Sequence, residues 1–198
     1  MIFDKDYYED VDFSDIDSLP ESIGRVRFVR CRFNGLSFID TKLLGTIFED
    51  CSLNFTRISG TLDRCAFTNC SFRYANLLGA HFDGCKMTGS TLSDISQSGF
   101  LITGGDWSYT ELSKVRIKKH NVGDVNFTCA NLFDCSFESC NLRGARFTNA
   151  VVNGLCLKNS NISGAQFEFV NFGQINFKGC TADFDFAVMF TRAHGIRI

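Results

Sequence analysis

Proline is almost missing from this chain: Pro20 is the only one in 198 residues. That excludes polyproline stretches and proline-punctuated linkers, and with them any compositional break where a second domain would begin. Long apolar runs are absent too, and none approaches the roughly 18 residues that cross a bilayer. Where a secretion signal would place basic and then apolar residues, positions 4–17 hold seven acids. A cytoplasmic protein without a membrane segment is expected. Chemistry-bearing patterns are equally scarce. The glycines are scattered rather than gathered into a phosphate loop, and no CxxC pair exists. Histidine occurs three times, and neither His81 nor His194 has an evident partner. A catalytic site needs a nucleophile or base and a group that orients it. Enzyme activity, a cofactor and a metal site are therefore not expected.

What the chain has in abundance is phenylalanine, and it is periodic. Large apolar residues recur every fifth position through Phe28, Phe33, Phe38, Leu43, Phe48, Leu53 and Ile58. After a single four-residue step the series resumes at Leu62, Phe67, Phe72, Leu77 and Phe82 and runs to Phe172 and Phe177. We call these positions centres. Between Phe28 and Ala182 only Gln97 and Ala182 itself are not large apolar residues. A period of five belongs to neither an α-helix (3.6) nor a flat strand (2), so five residues make one unit of a repeat architecture. Two positions before each centre the residue is usually small, as at Cys31, Cys51, Ala75, Cys85, Ala130 and Ala145; the exceptions include Leu36, Ile95, Phe100, His120, Leu155 and Ile175. Alternating large and small inward groups fills a narrow interior at native density. Asn, Ser or Arg precedes the centre, and glycine often stands two after it, where a corner calls for unusual φ/ψ.

Runs such as Ala75-Asn76-Leu77-Leu78-Gly79, Ala130-Asn131-Leu132-Phe133-Asp134 and Cys140-Asn141-Leu142-Arg143-Gly144 resemble the A(D/N)LxG consensus of the pentapeptide-repeat family. The resemblance covers nearly the whole chain. It implies an all-β fold, a right-handed quadrilateral parallel β-helix in which four units make one square coil, ending in a short C-terminal α-helix. A solenoid follows independently from the repeat, because one unit cannot bury its apolar residue without its neighbours. Eight coils at about 4.8 Å each make a rod of roughly 38 Å. The expected divisions are an irregular acidic N-terminal coil over 1–22, repeats over 23–184 and a C-terminal dimerisation helix and tail over 185–198. Phe3, Tyr8 and Phe13 continue the five-step series, while Ser18 and Pro20 interrupt it. A bulge or widened corner is expected from Ile95 to Trp107, with Trp107 filling local space. Single substitutions test the register: Phe137→Ala removes a core ring, whereas Glu138→Ala alters only the outside.

Ten cysteines invite a disulfide reading, but eight occupy the small inward site. Stacked one strand spacing apart, in columns such as Cys31, Cys51 and Cys70, their Cβ atoms lie beyond disulfide reach. Reduced thiols acting as small hydrophobes are expected.

Charge is uneven despite a net of only −2. Residues 1–21 hold eight acids against Lys5, leaving the remainder with a net of +5. Folding the register into four faces collects Arg57, Arg116, Lys118, Lys119, Lys158 and Lys178 on one of them, opposed by Asp40 and Glu138, and lines another with Asp63, Asp83 and Asp124. Exposed aromatics for base stacking are not expected, so direct nucleic-acid binding is not the favoured use of the basic face. Beyond Phe177 the pattern Asp183-x-Asp185-x-Ala187-Val188-x-Phe190-x-x-Ala193-His194-Gly195 departs from the repeat and resembles the tail of MfpA- and Qnr-type members of the family. That resemblance implies a homodimer joined through Ala187, Val188, Phe190, Ala193 and Ile196. It also implies a DNA mimic that binds DNA gyrase or topoisomerase IV and protects it from quinolones or similar poisons. The candidate mimic carboxylates are Asp63, Asp83, Asp124, Asp183 and Asp185. The alternative is a scaffold or immunity-type protein whose partner is not a topoisomerase.

Overall fold

The computed structural model describes residues 3–95 and 99–197. The five-residue units wind into a right-handed, four-sided β-helix of about eight coils, closed by one short helix. Each side is a column of parallel pairings between residues one coil apart. Face 1 is a five-stranded sheet, Ser22–Gly24, Lys42–Leu44, Gly60–Asp63, Ala80–Asp83 and Leu101–Thr103, continued by single bridges through Asn121, Asn141, Asn161 and Thr181. Face 2 begins with Tyr7–Glu9, Arg27–Val29, Ile47–Glu49 and Ala66–Thr68 and continues as bridges to Gln166. Face 3 consists of bridges alone, from Asp12 to Val151. Face 4 starts as bridges through Ser37, Arg57 and Asn76 and ends as the sheet Arg116–Lys118, Ser136–Glu138, Leu155–Cys156 and Ile175–Asn176. The four-residue step is absorbed in register: Leu43 pairs with Leu62 and Phe48 with Phe67, nineteen residues apart instead of twenty.

The centres form the core. On face 2 the rings of Phe28, Phe48 and Phe67 stack at 5.1 and 4.9 Å, and Phe127, Phe147 and Phe167 repeat the ladder at 5.5 and 4.8 Å. Trp107 is fully buried between the two ladders, edge-on to Phe82 at 5.4 Å, so it does fill local space. Gln97 lies outside the described residues. At Gly105 the backbones of two coils approach closely: a Cβ there, with φ at +89°, would sit 2.1 Å from the Cys85 carbonyl oxygen. Only glycine fits there.

The corner two residues after each centre is left-handed almost throughout, including at nineteen non-glycine positions among the described residues, such as Asp10, Asn69 and Asp134. The fold, rather than glycine, imposes this conformation, and the inter-coil hydrogen bonds on either side of each corner hold it. The asparagines before the centres have a role in those corners. The side-chain oxygens of Asn76, Asn131, Asn141 and Asn161 each accept from the backbone N–H two residues on, at 3.0 to 3.2 Å. Such Asx turns preset the bend.

The small inward site is more than a filler. All ten cysteines are free thiols. Cys51, Cys70, Cys85, Cys135 and Cys180 donate their S–H to the carbonyl of the residue 22 or 23 positions earlier, at 3.4, 3.4, 3.2, 2.7 and 2.9 Å. Ser90, Ser160 and Thr46 place their hydroxyls in the same way, at 2.8, 2.8 and 2.7 Å. The thiols are free and pack in the core as the small hydrophobes expected, and several of them also donate to a carbonyl of the coil before, as the serine and threonine hydroxyls at this site do. Burial pushes the Cys135 thiol up to about 12.

The two ends are closed differently. At the N-terminus Tyr7–Glu9 pairs with Arg27–Val29, and Phe3, Tyr8, Phe13 and Phe28 pack edge-to-face and stacked at 5.1 to 5.8 Å. At the C-terminus helix α1, Phe184–Ala193, is capped by Asp183 and lays Phe186 and Phe190 on Phe172 and Phe177.

Candidate partner-binding surfaces

On face 1, Asp63 and Asp83 are direct neighbours across two paired strands. Arg64 grips Asp63 through both guanidinium arms, at 2.9 and 3.0 Å, and holds its carboxyl below the usual range. Asp124 and Asp183 stand further along the rod and share a shallow hollow with Arg143, Gly144, Ser163 and Gly164. Asp183 is already engaged: one carboxylate oxygen accepts the Phe186 N–H at 2.9 Å and the other the Gly164 N–H, and these bonds lower its pKa. Asp185 is exposed in the first turn of α1. The structure therefore groups the five candidate acids into one pair, Asp63 and Asp83, and one cluster towards the C-terminal end that also holds Arg143, with Thr103 and Gly123 between them along face 1.

The acids of the N-terminal coil are partly paired. Arg30 bridges Glu9 and Asp10, Arg32 meets Asp12 at 3.3 Å, and on the same rim Arg27 meets Glu49 at 2.7 Å. Face 4 is cationic. Arg57, Arg116, Lys118, Lys119, Lys158 and Lys178 are all exposed on it, with Lys118 bonded to Glu138 at 3.0 Å.

Helix α1 has two apolar sides. Phe186, Met189 and Phe190 face the chain's own core, whereas Phe184 is 80% exposed and Ala187 is also exposed. Val188 is half-buried, and Ala193 and Ile196 are exposed. Of the residues read as a dimer seam, Phe190 is thus turned inward, and Phe184, which that reading omitted, is the most exposed ring of the helix. The spacing of Phe184, Ala187 and Val188 was the available signal.

Two other readings need correction. His81 and His194 do have partners: His81 Nε2 lies 2.8 Å from the Thr103 hydroxyl, which lies 3.3 Å from His120 Nε2, and His194 Nδ1 lies 2.8 Å from the Phe190 carbonyl oxygen. Burial and the neighbouring His81 lower the His120 pKa. Exposed aromatics are also present. Phe55, Tyr74, Tyr109 and Phe169 are 61, 53, 65 and 85% exposed. All four occupy left-handed corners, with φ of 58 to 60°.

No group of metal-ligating side chains occurs among the described residues, and no described helix is long and apolar enough to cross a membrane. The class this defines is a parallel β-solenoid with its residue chemistry displayed on four flat faces. The pattern for a pentapeptide repeat region matches residues 21–97, and that for pentapeptide repeats in eight copies matches residues 126–164. The chain belongs to the pentapeptide-repeat family. No curated protein matches it by sequence. Among solved structures, full-length QnrB1, a plasmid-mediated fluoroquinolone resistance protein, superposes with a TM-score of 0.83 at 18% identity, over 96% of this chain and 97% of that one. A trypsin-treated variant of QnrB1 gives 0.84 at 18% identity, over 97% of each chain. At that identity the likeness is one of fold.

Proposed function

We propose that this protein acts without catalysis, as a DNA-mimicking rod that binds DNA gyrase or topoisomerase IV and shields it from quinolones or related poisons. The observation carrying this reading is the full-length agreement in fold with QnrB1, a fluoroquinolone resistance protein, at a TM-score of 0.83. The MfpA-like tail from Asp183 to Gly195 supports it. In this reading Asp63, Asp83, Asp124, Asp183 and Asp185 stand in for phosphates on a cationic DNA-binding surface, and binding weakens as salt rises. Two copies join end to end through the outward side of α1, where Phe184, Ala187 and Val188 offer apolar area, with Ile196 beyond the helix, and the joined rod doubles its length.

Supercoiling by purified gyrase, with and without ciprofloxacin, tests this. Inhibition or drug protection that is lost in Asp63→Lys/Asp83→Lys supports the mimic. No effect on either gyrase or topoisomerase IV and no binding to them removes it. One observation favours a second reading, a scaffold with a non-topoisomerase partner: Arg64 neutralises Asp63, and Arg143 interrupts the acids of face 1. A pulled-down partner that is not a type II topoisomerase and resists salt would support the scaffold.

A further inference from the structure

Phe55 and Tyr74 stand one above the other at the corner leading into face 4, their rings stacked at 5.2 Å and 14°. Neither contributes to the core, and both hold left-handed φ values of 59° and 58°, a conformation in which bulky side chains are rare. Most units fill this corner with Gly, Asn, Asp or another polar residue, so the fold does not require a ring here. The pair of rings ends at Gly35 on one side, where an added Cβ would meet nothing within 4 Å, and at Asp94 on the other. The outer side of the Phe55 ring therefore borders an open step about one coil, or ~4.8 Å, deep. That step leaves one face of the Phe55 ring open to a flat aromatic group. Arg57, two residues on, is exposed on the adjoining face.

Further along that face the cations gather. Arg116 and Lys118 project from one strand, and Lys158 and Lys178 follow in the column of Lys118 beyond Glu138, which pairs with Lys118 at 3.0 Å. Lys114 joins Arg116 and Lys118 around an open hollow of about 420 Å³, which also contains the Ser136 hydroxyl, buried without a protein partner, and the acids Asp134 and Glu138. From Phe55 to Lys178 is six coils, about 29 Å. A ring platform and a cationic track on one face are the two components that single-stranded nucleic acid uses: bases stack on the rings and phosphates meet the cations. An acidic protein or a duplex would use the lysines and leave the rings idle.

We propose that face 4 binds single-stranded nucleic acid, with Phe55 and Tyr74 as the stacking platform and Arg116, Lys118, Lys158 and Lys178 as the phosphate contacts. This surface is separate from the acids of face 1 and holds or fails independently of topoisomerase binding.

The experiment is fluorescence anisotropy with a labelled oligothymidylate of about 15 nucleotides, a length within the usual site size. Binding is expected at low salt, with a log–log salt slope of about −3 for four phosphate contacts. Phe55→Ala/Tyr74→Ala should weaken it roughly tenfold or more, since stacking on each base is worth that much. Lys158→Glu/Lys178→Glu should weaken it further and flatten the slope. All four residues are exposed, and unchanged melting curves confirm that the variants fold. No binding at low salt overturns the proposal. Equal or tighter binding of a duplex, or of a polyaspartate peptide, with no effect of removing the rings, also overturns it and makes face 4 a general anion surface.

Discussion

The two ends of the rod solve one problem in opposite ways. Each would otherwise expose a phenylalanine core and a row of unpaired backbone groups. The N-terminal coil adds one more strand to face 2, buries Phe3 and Phe13 among aromatic neighbours and surrounds the end with the Arg30 and Arg32 ion pairs. That end is finished. The C-terminal end is covered by a helix, which satisfies its own backbone but cannot extend a sheet, and whose far side still presents Phe184 and Ala187. A cap with a second apolar side moves the exposed patch outward instead of removing it, and such patches mark interfaces. Among the described residues, the N-terminal coil keeps its rings inside, whereas the C-terminal cap leaves Phe184 80% exposed.

The largest effects should come from the rings that close each end. Phe28→Ala and Phe172→Ala each remove a buried ring and should cost about 3–5 kcal/mol in urea unfolding, matching Phe137→Ala in mid-rod. An end substitution costing far less would mean that its cap is loose. Next comes Phe184→Ala, which should shift sedimentation from dimer to monomer and remove the concentration dependence of the melting temperature. A monomeric wild type, or a variant that melts below the wild type diluted to monomer, would assign Phe184 to the fold instead. Acid should separate the ends more gently. The Asp183 carboxylate has a lowered folded pKa because the Phe186 and Gly164 N–H groups bond its charged form. Its contribution is complete above the ordinary value of about 4 and disappears as pH falls through the folded value. Between those limits the helical signal of α1 should fade in the wild type and already be reduced in Asp183→Ala at neutral pH. The smallest effect belongs to Arg30→Ala: exposed ion pairs contribute little, so the N-terminal end should remain closed as judged by hydrogen exchange at Val29. Along the rod between the ends, Cys135 should resist alkylation at pH 8 in the folded protein and react once unfolded, because burial pushes its thiol up to about 12.

Much of this architecture was legible in the residues. The five-step series locates the centres, the four-residue step between Ile58 and Leu62, and the basic side formed by Arg116, Lys118, Lys158 and Lys178. Each follows from counting, because a solenoid maps sequence separation directly onto position. What counting missed depends on direction and hydrogen bonding. The inward cysteines looked like fillers because spacing carries no information about the carbonyl each thiol meets. His81 looked solitary although Thr103, from a different coil, lies between it and His120. The exposed rings at Phe55 and Tyr74 were hidden by a rule that places aromatics inside, whereas a left-handed corner turns them out. Phe190 reads equally well as seam or core, since an amphipathic period identifies an apolar side without naming what it touches.

By itself, then, the amino-acid order determined a square tube, its register and the distribution of charge among its four sides, because each unit can bury its large residue only by stacking on the unit one turn earlier. The tertiary structure decided which acids are already held by arginines or backbone N–H groups, which small residues cap inward carbonyls, and which side of the last helix remains open. Those are properties of groups brought together from different coils, where distances of a few ångströms determine whether a charge, a thiol or a ring is used within the molecule or left for a partner.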